Sequence, residues 1–383
     1  MTSKKTLPTE IILLIATYMP LEDQESLVQV IPGIENLFTI EHYMTPRDNE
    51  GNTILHLYAQ HLPFDLPAHL NIDDNDFLAA SIDADPHVQN NYGATPLIYA
   101  AGGDYVDVVT HYLPGRPPDL QLMQQILDKD PTGINIRADE NKTALHYAIN
   151  GDHEESVALL LTVPGIDVNC RDDWHNETPM LRALDLEHRV EEIIESLLNH
   201  PDMDLRLADD NGNTPLMRAA AGFSLEGLIR QMLRRNDCYV NATNRDGRTA
   251  LHIAVDYGLY ENVEVLLTHD GIEYDRPDNN GTTPFMEARG NSDIMNLFFA
   301  RGEIDINHRD RDGRTVLSHV AENGSVESAQ ILIDHGARLD INDNDGYLPI
   351  DRAAESSDVD MVDYLGAMGI DCGCAGPRTQ NKT

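Results

Sequence analysis

The chain has 383 residues and a formal net charge of −38, from 65 acidic and 27 basic residues. Nucleic-acid backbones and anionic membranes are bound through Lys and Arg, so this balance excludes both as direct partners and favours a basic or neutral protein. Four cysteines form no disulfide framework in a chain of this length, no signal peptide is read, and the longest apolar run, Ile11 to Ala16, is too short to span a bilayer; a reducing cytoplasm or nucleus is expected.

The first element falls in residues 7 to 30. At about 100° per residue, Ile11 to Ile15 are apolar all the way round a helix. Such a helix wants burial on two sides. Leu27, Val30 and Leu37, or the next element, can cover one side. The other needs a partner or a short bundle of its own. The alternative is a hydrophobic cap docked on the next element.

From Thr53 onward one phrase returns nine times. Its clearest copies are Thr143-Ala144-Leu145-His146-Tyr147-Ala148, Thr214-Pro215-Leu216-Met217-Arg218-Ala219 and Thr249-Ala250-Leu251-His252-Ile253-Ala254. Looser copies start at Thr53, Thr95, Thr178, Thr283, Thr315 and Leu348, and the steps between starts are 42, 48, 35, 36, 35, 34, 32 and 33. The copy at Thr249 predicts a turn with a free-φ glycine, Gly247, then a helix capped by Thr249, and in other copies Pro is accepted at the first helical position. Leu and Ala at positions three and six face inward at helical spacing. A glycine stop, a second helix and an extended piece such as Val240-Asn241 complete the copy. One copy cannot bury its apolar face, but stacked copies can. The acids of the turns, such as Asp209-Asp210 and Asp343-Asn344-Asp345, read as solvated tips, or as a field for a basic partner.

A recurring Thr-x-Leu-His-x-Ala phrase near 33 residues resembles the ankyrin repeat. The head, with Leu7-Pro8-Thr9-Glu10-Ile11, an apolar helix ending in Tyr18-Met19 and then Ser26-Leu27, resembles the F-box; Ile31-Pro32-Gly33-Ile34 departs from that pattern. The whole layout resembles fungal ankyrin repeat proteins with an F-box-like head. The resemblance implies an all-α chain: an ankyrin-repeat solenoid of about nine helix pairs with β-turn tips, preceded by a short F-box-like helical segment. It places the head at residues 1–46, the repeats at 47–370 and a flexible tail at 371–383. It implies hydrogen-bonding roles within the stack for His56, His146 and His252. It further implies that Leu7, Pro8, Ile11, Leu14, Ile15 and Tyr18 contact the adaptor of a cullin–RING ubiquitin ligase.

In ankyrin stacks the variable residues of the first helix and the turn tips line a concave groove. Position five varies most here. Tyr99, Tyr147, Arg182, Arg218, Glu287, His319 and Arg352 are therefore the expected partner-binding residues, and Tyr and Arg are common interface anchors. Trp174, the only tryptophan, sits in the turn before Thr178 and is the leading contact residue, unless it folds back onto a neighbouring repeat. The repeat at Thr95 is overlong; Pro114-Gly115-Arg116-Pro117-Pro118 and an amphipathic stretch from Leu120 to Leu127 read as an insertion, and residues 62 to 85 are also irregular. Cys372-Gly373-Cys374 is too sparse for a metal site, and no nucleophile is spaced beside a base. No cofactor, metal or catalytic residue is expected. The leading reading is a monomeric, non-enzymatic client receptor of a cullin–RING ligase. The alternatives are an ankyrin transcription coregulator, for example of a fungal metabolite gene cluster, and an enzyme on an ankyrin scaffold.

Overall fold

The computed structural model describes residues 50–60, 82, 85–102, 118–186 and 191–369. The F-box-like head with Leu7, Pro8, Ile11, Leu14, Ile15 and Tyr18, most of the irregular stretch 62–85, Pro114 to Pro117, and the tail with Cys372 and Cys374 lie outside the described residues. The described residues are helical with turns and hold no strand. They divide into two compact units, one up to Met203 and one from Asp204 onward.

In the first unit, inner helices α1 (Ile54–Ala59), α2 (Pro96–Gly102), α4 (Ala144–Asn150) and α6 (Pro179–Asp185) pack in succession. Outer helices α3 (Leu120–Lys129), α5 (Glu154–Leu161) and α7 (Glu191–Leu198) do the same. The second unit repeats the scheme with pairs α8 (Pro215–Ala220) and α9 (Glu226–Leu233), α10 (Ala250–Asp256) and α11 (Tyr260–Leu267), α12 (Pro284–Glu287) and α13 (Ser292–Arg301), α14 (Val316–Asn323) and α15 (Val326–Asp334), and α16 (Pro349–Glu355) and α17 (Val359–Ala367). Eight pairs, and α1 of a ninth, lie among the described residues. The stretch from Leu120 is not an insertion, as expected from sequence, but the outer helix of its repeat. Asp119 caps it through Leu122 N at 2.9 Å, and Asp119 N donates to Ala100 O at 2.9 Å. The extra length of that repeat precedes α3.

The repeated phrase explains each inner helix. The Thr hydroxyl accepts the N3 amide in extended backbone geometry, at 3.4 Å in Thr178, Thr214, Thr249 and Thr283. His completes a capping box: Thr53 N and Thr249 N each donate to Nδ1 of the His three residues on, at 3.1 Å. With Nδ1 accepting, Nε2 carries the proton and donates to the following repeat, to Ala94 O at 3.0 Å and Thr282 O at 3.1 Å. One side chain thus caps its own helix and ties two repeats. The last copy lacks Thr, and the Asp351 carboxylate accepts from Leu348 N at 2.9 Å instead.

Position three is buried in every copy, from Leu55 through Met180 and Phe285 to Ile350. Position six is almost always Ala, and Ala100, Ala148, Ala219, Ala254 and Ala353 have no exposed surface. Burying each large apolar side chain stabilises by roughly 1.5–3 kcal/mol, while a larger residue at the Ala position would overpack the closely spaced helices. Phe285 replaces Leu beside the shortest inner helix and meets Phe298 edge-on, centroids 5.6 Å apart. Backbone bonds between neighbouring turns continue the stack, as in Asn279 N to Asp246 O at 2.9 Å. Gly247 there has φ +78, and a Cβ would lie 2.7 Å from Asn279 N. Only glycine fits both demands.

Candidate functional site

Most of the described turns open on an Asp or Asn whose side chain folds back to close them; the turn before Thr143, which opens on Ala138, does not. Asp209 Oδ1 accepts from Asn211 N and Asn213 N, both at 2.8 Å. Asp278, Asp310 and Asp343, and Asn90 and Asn244 with their amide oxygens, bond their own turns the same way. The second carboxylate oxygen is left for the inner helix, and position five lies nine residues on. Arg218 Nη2 donates to Asp209 Oδ2 at 2.6 Å, His319 Nε2 meets Asp310 Oδ2 at 2.8 Å, and Arg352 Nε donates to Asp343 Oδ2 at 2.7 Å. Asn90 Nδ2 donates to the Tyr99 hydroxyl at 2.9 Å in the same register. Where Asp278 faces Glu287, like charges cannot pair, and Glu287 takes Arg248 of the preceding repeat at 3.5 Å and Arg289 at 2.8 Å.

Burial pushes the Asp209 carboxyl up, but Arg218 and the Asn213 amides outweigh it and hold it below the usual range. Burial acts likewise on Asp310, against the stronger pull of His319 and Arg314 N. The turn acids are thus not uniformly solvated. Asp209 and Asp343 are buried, while Asp210 and Asp345 are exposed.

This changes the picture of the expected groove. Tyr99, Tyr147 and Arg352 are buried and cannot serve as exposed anchors. Tyr147 is desolvated enough to raise its phenol to about 12. Arg352 is further held by Asp345 at 3.1 Å and Glu355 at 2.8 Å, over the Tyr347 ring. Arg182, Arg218, Glu287 and His319 are half-buried, and Arg182 Nε donates to Asn150 Oδ1 at 2.6 Å in the preceding repeat. These polar groups are engaged within the fold.

Trp174 is different. It does not fold back; 62% of its surface is exposed, and the His175 ring meets it edge-on at 5.7 Å. Its turn is the longest of the set. Asp172 N bonds Glu177 O at 3.0 Å, whereas the other turns close one residue sooner, as in Asp209 N to Asn213 O at 3.0 Å. Asn176, with φ 58, takes the left-handed place that Asn141 holds in the turn before it and glycine in the turns of the other described repeats. The extra residue carries the tryptophan outward, beside exposed Asp173 and, one turn earlier, exposed Asp139 and Glu140. A large apolar face with acids around it suits a basic protein surface.

One pair has the composition of a nucleophile and a base, and reasoning from sequence missed it. Cys170 Sγ lies 3.7 Å from His146 Nδ1 and 3.6 Å from Thr143 Oγ1. Burial raises the thiol to about 11 and lowers the imidazole to about 4, so both stay neutral. A thiolate nucleophile needs the opposite shifts. Among the described residues, no three His, Cys, Asp or Glu side chains are grouped to hold a metal, and no helix is long and apolar enough to cross a membrane.

The profile described as "Ankyrin repeats (3 copies)" matches residues 67–172, 116–200, 180–278, 224–310 and 285–375. The chain belongs to the ankyrin repeat family, whose repeats act as protein–protein interaction scaffolds. Human Rabankyrin-5 is 30% identical over 172 residues, 44% of this chain and 14% of the relative. Human inversin is 30% identical over 159 residues, 40% of this chain and 14% of the relative. The "Probable 26S proteasome regulatory subunit p28" of Saccharomyces cerevisiae is 27% identical over 146 residues, 37% of this chain and 64% of the relative. The chain thus spans less than two thirds of each of these relatives.

Proposed function

We propose that the chain is a non-enzymatic receptor that holds a basic protein client at the turn tips around Trp174 and presents it to a cullin–RING ubiquitin ligase through residues 7–30. The observation that carries the client half is the outward Trp174 on a lengthened turn among exposed acids. The neutral Cys170–His146 pair and the internally engaged Arg218, His319 and Arg352 support binding rather than chemistry. The adaptor half rests on the head's F-box-like sequence, with Leu7, Pro8, Ile11, Leu14, Ile15 and Tyr18 as its contact set. The yeast relative's name, a proteasome regulatory subunit, is in keeping with a degradation role. Work in the cytoplasm or nucleus follows from this reading.

The test is co-purification with the cullin–RING adaptor, compared with a chain lacking residues 1–40. Adaptor recovered by the full chain and lost on deletion supports the receptor. Client binding with no adaptor at micromolar concentration supports the coregulator reading instead.

A further inference from the structure

A second large aromatic stands on a second one-residue extension, at the other end of the inner helix. The loop between inner and outer helix holds a left-handed residue nine positions after the cap in four repeats, at Asp152, Gly258, Gly324 and Ser357, and earlier still at Gly290. In the repeat of Thr214 it comes ten positions after, at Ser224 with φ 57. The added residue beside it is Phe223, which is 73% exposed. The ring stands outside the core of its repeat, where Leu216, Leu228 and Ile229 are buried.

Across from the loop, α11 of the next repeat begins with Tyr260 and Glu261. Phe223, Ser224, Glu226, Leu259, Glu261 and Asn262 enclose a cleft of about 210 Å³. Its form is held from beneath. The buried Asn262 amide donates to Ala220 O at 3.2 Å and Gly222 O at 2.8 Å, so the loop and α11 stay in register. Leu259 provides an apolar base, and exposed Tyr257 and Tyr260 flank it in the chain. Glu226, at the start of α9, and Glu261, at the start of α11, both line the cleft, and neither has an ion-pair partner among the described residues.

We infer that this cleft docks an arginine of a partner protein, flanked by apolar residues. A guanidinium is flat and weakly hydrated, so it can lie on the Phe223 ring while its fork donates to the carboxylates that line the cleft. Its aliphatic stem suits Leu259, and flanking apolar residues suit Tyr257 and Tyr260. A purely apolar segment would leave Glu226 and Glu261 desolvated without a counter-charge. A lysine brings charge but neither the plane nor the fork. This site is separate from the turn-tip anchor.

The test uses the full chain and a fluorescein-labelled nonapeptide with one central arginine between leucines, compared with peptides carrying lysine or neutral citrulline there. Anisotropy should show the arginine peptide bound and both others weaker. Phe223→Ala, and separately Glu226→Gln with Glu261→Gln, should each weaken it about tenfold or more. Unfolding temperatures should change little, because Phe223 and Glu261 are exposed and Glu226 is half-buried, and surface positions move stability by only about 0.5 kcal/mol. Trp174→Ala should leave this affinity intact even though it removes the proposed client anchor. Equal binding of arginine and lysine peptides, or an unchanged affinity in Phe223→Ala or in Glu226→Gln with Glu261→Gln, would reduce the interaction to attraction by the net charge and overturn the site. So would equal binding of citrulline, or no binding at millimolar peptide.

Discussion

Arg218 is pinned by Asp209: Nη2 to Oδ2 is 2.6 Å, and the same carboxylate closes its own turn through Oδ1. A side chain at the variable position therefore stiffens the joint between turn and helix. Arg218→Ala leaves a buried carboxylate with only its amide donors. A lost bond to a charged partner costs roughly 1.5–3 kcal/mol, so chemical denaturation should show a loss of that order. Asp209→Ala should cost more, because it opens the turn as well. A stability change near zero for Arg218→Ala would make this residue a free anchor again.

Acid should loosen the fold before its carboxylates titrate. His146 stays neutral in the fold down to about 4, against 6.5 ordinarily, because it is buried, and burial lowers His252 in the same direction. Between those values the unfolded chain binds the proton and the folded chain does not. Stability is therefore complete above 6.5 and falls as pH drops, by about 1.4 kcal/mol per unit for each such group. Urea midpoints at pH 7 and pH 5 measure the slope, which His146→Gln should reduce. Asp209 and Asp310, held below their ordinary 3.8, add their loss only at still lower pH.

Cys170 should be inert in the folded chain. Its thiol, raised to about 11 by burial, is protonated at pH 8. Alkylation followed by peptide mapping should modify it only as fast as the chain unfolds. Rapid labelling at pH 8 would mean the Cys170–His146 pair is activated, and would reopen the enzyme reading.

Gly247→Ala should destabilise by about 1 kcal/mol or more, from a strained positive φ alone. The added methyl would also press on Asn279 of the next turn. Thermal unfolding of the variant gives the value directly.

Much of this was legible in the residues. Thr249, Leu251, His252 and Ala254 name a cap, a core position, a stitch and a close approach, and the structure has all four. Burial at position five was not legible from any one copy. In four copies the residue there bonds the turn residue nine before it, Asn90 with Tyr99, Asp209 with Arg218, Asp310 with His319 and Asp343 with Arg352, and that pairing is a signal that comparing copies could have found. Likewise Asp209 and Asp210 look alike as letters; only the turn geometry sends one inward. The outer helix from Leu120 reads as an insertion because the extra residues come before it rather than after it. Phe223 goes unnoticed because one extra loop residue leaves the 35-residue step from Thr214 to Thr249 looking ordinary.

The central claim, a protein client held by Trp174, is tested most directly by quantitative recovery from native-cell lysate with the intact chain and Trp174→Ala side by side. The account predicts a protein enriched by the intact chain and reduced about tenfold or more by the variant, as loss of an aromatic anchor typically costs roughly 2 kcal/mol. Equal melting temperatures would show that the exposed ring serves binding rather than folding. The same proteins recovered in the same amounts by both chains would contradict the account.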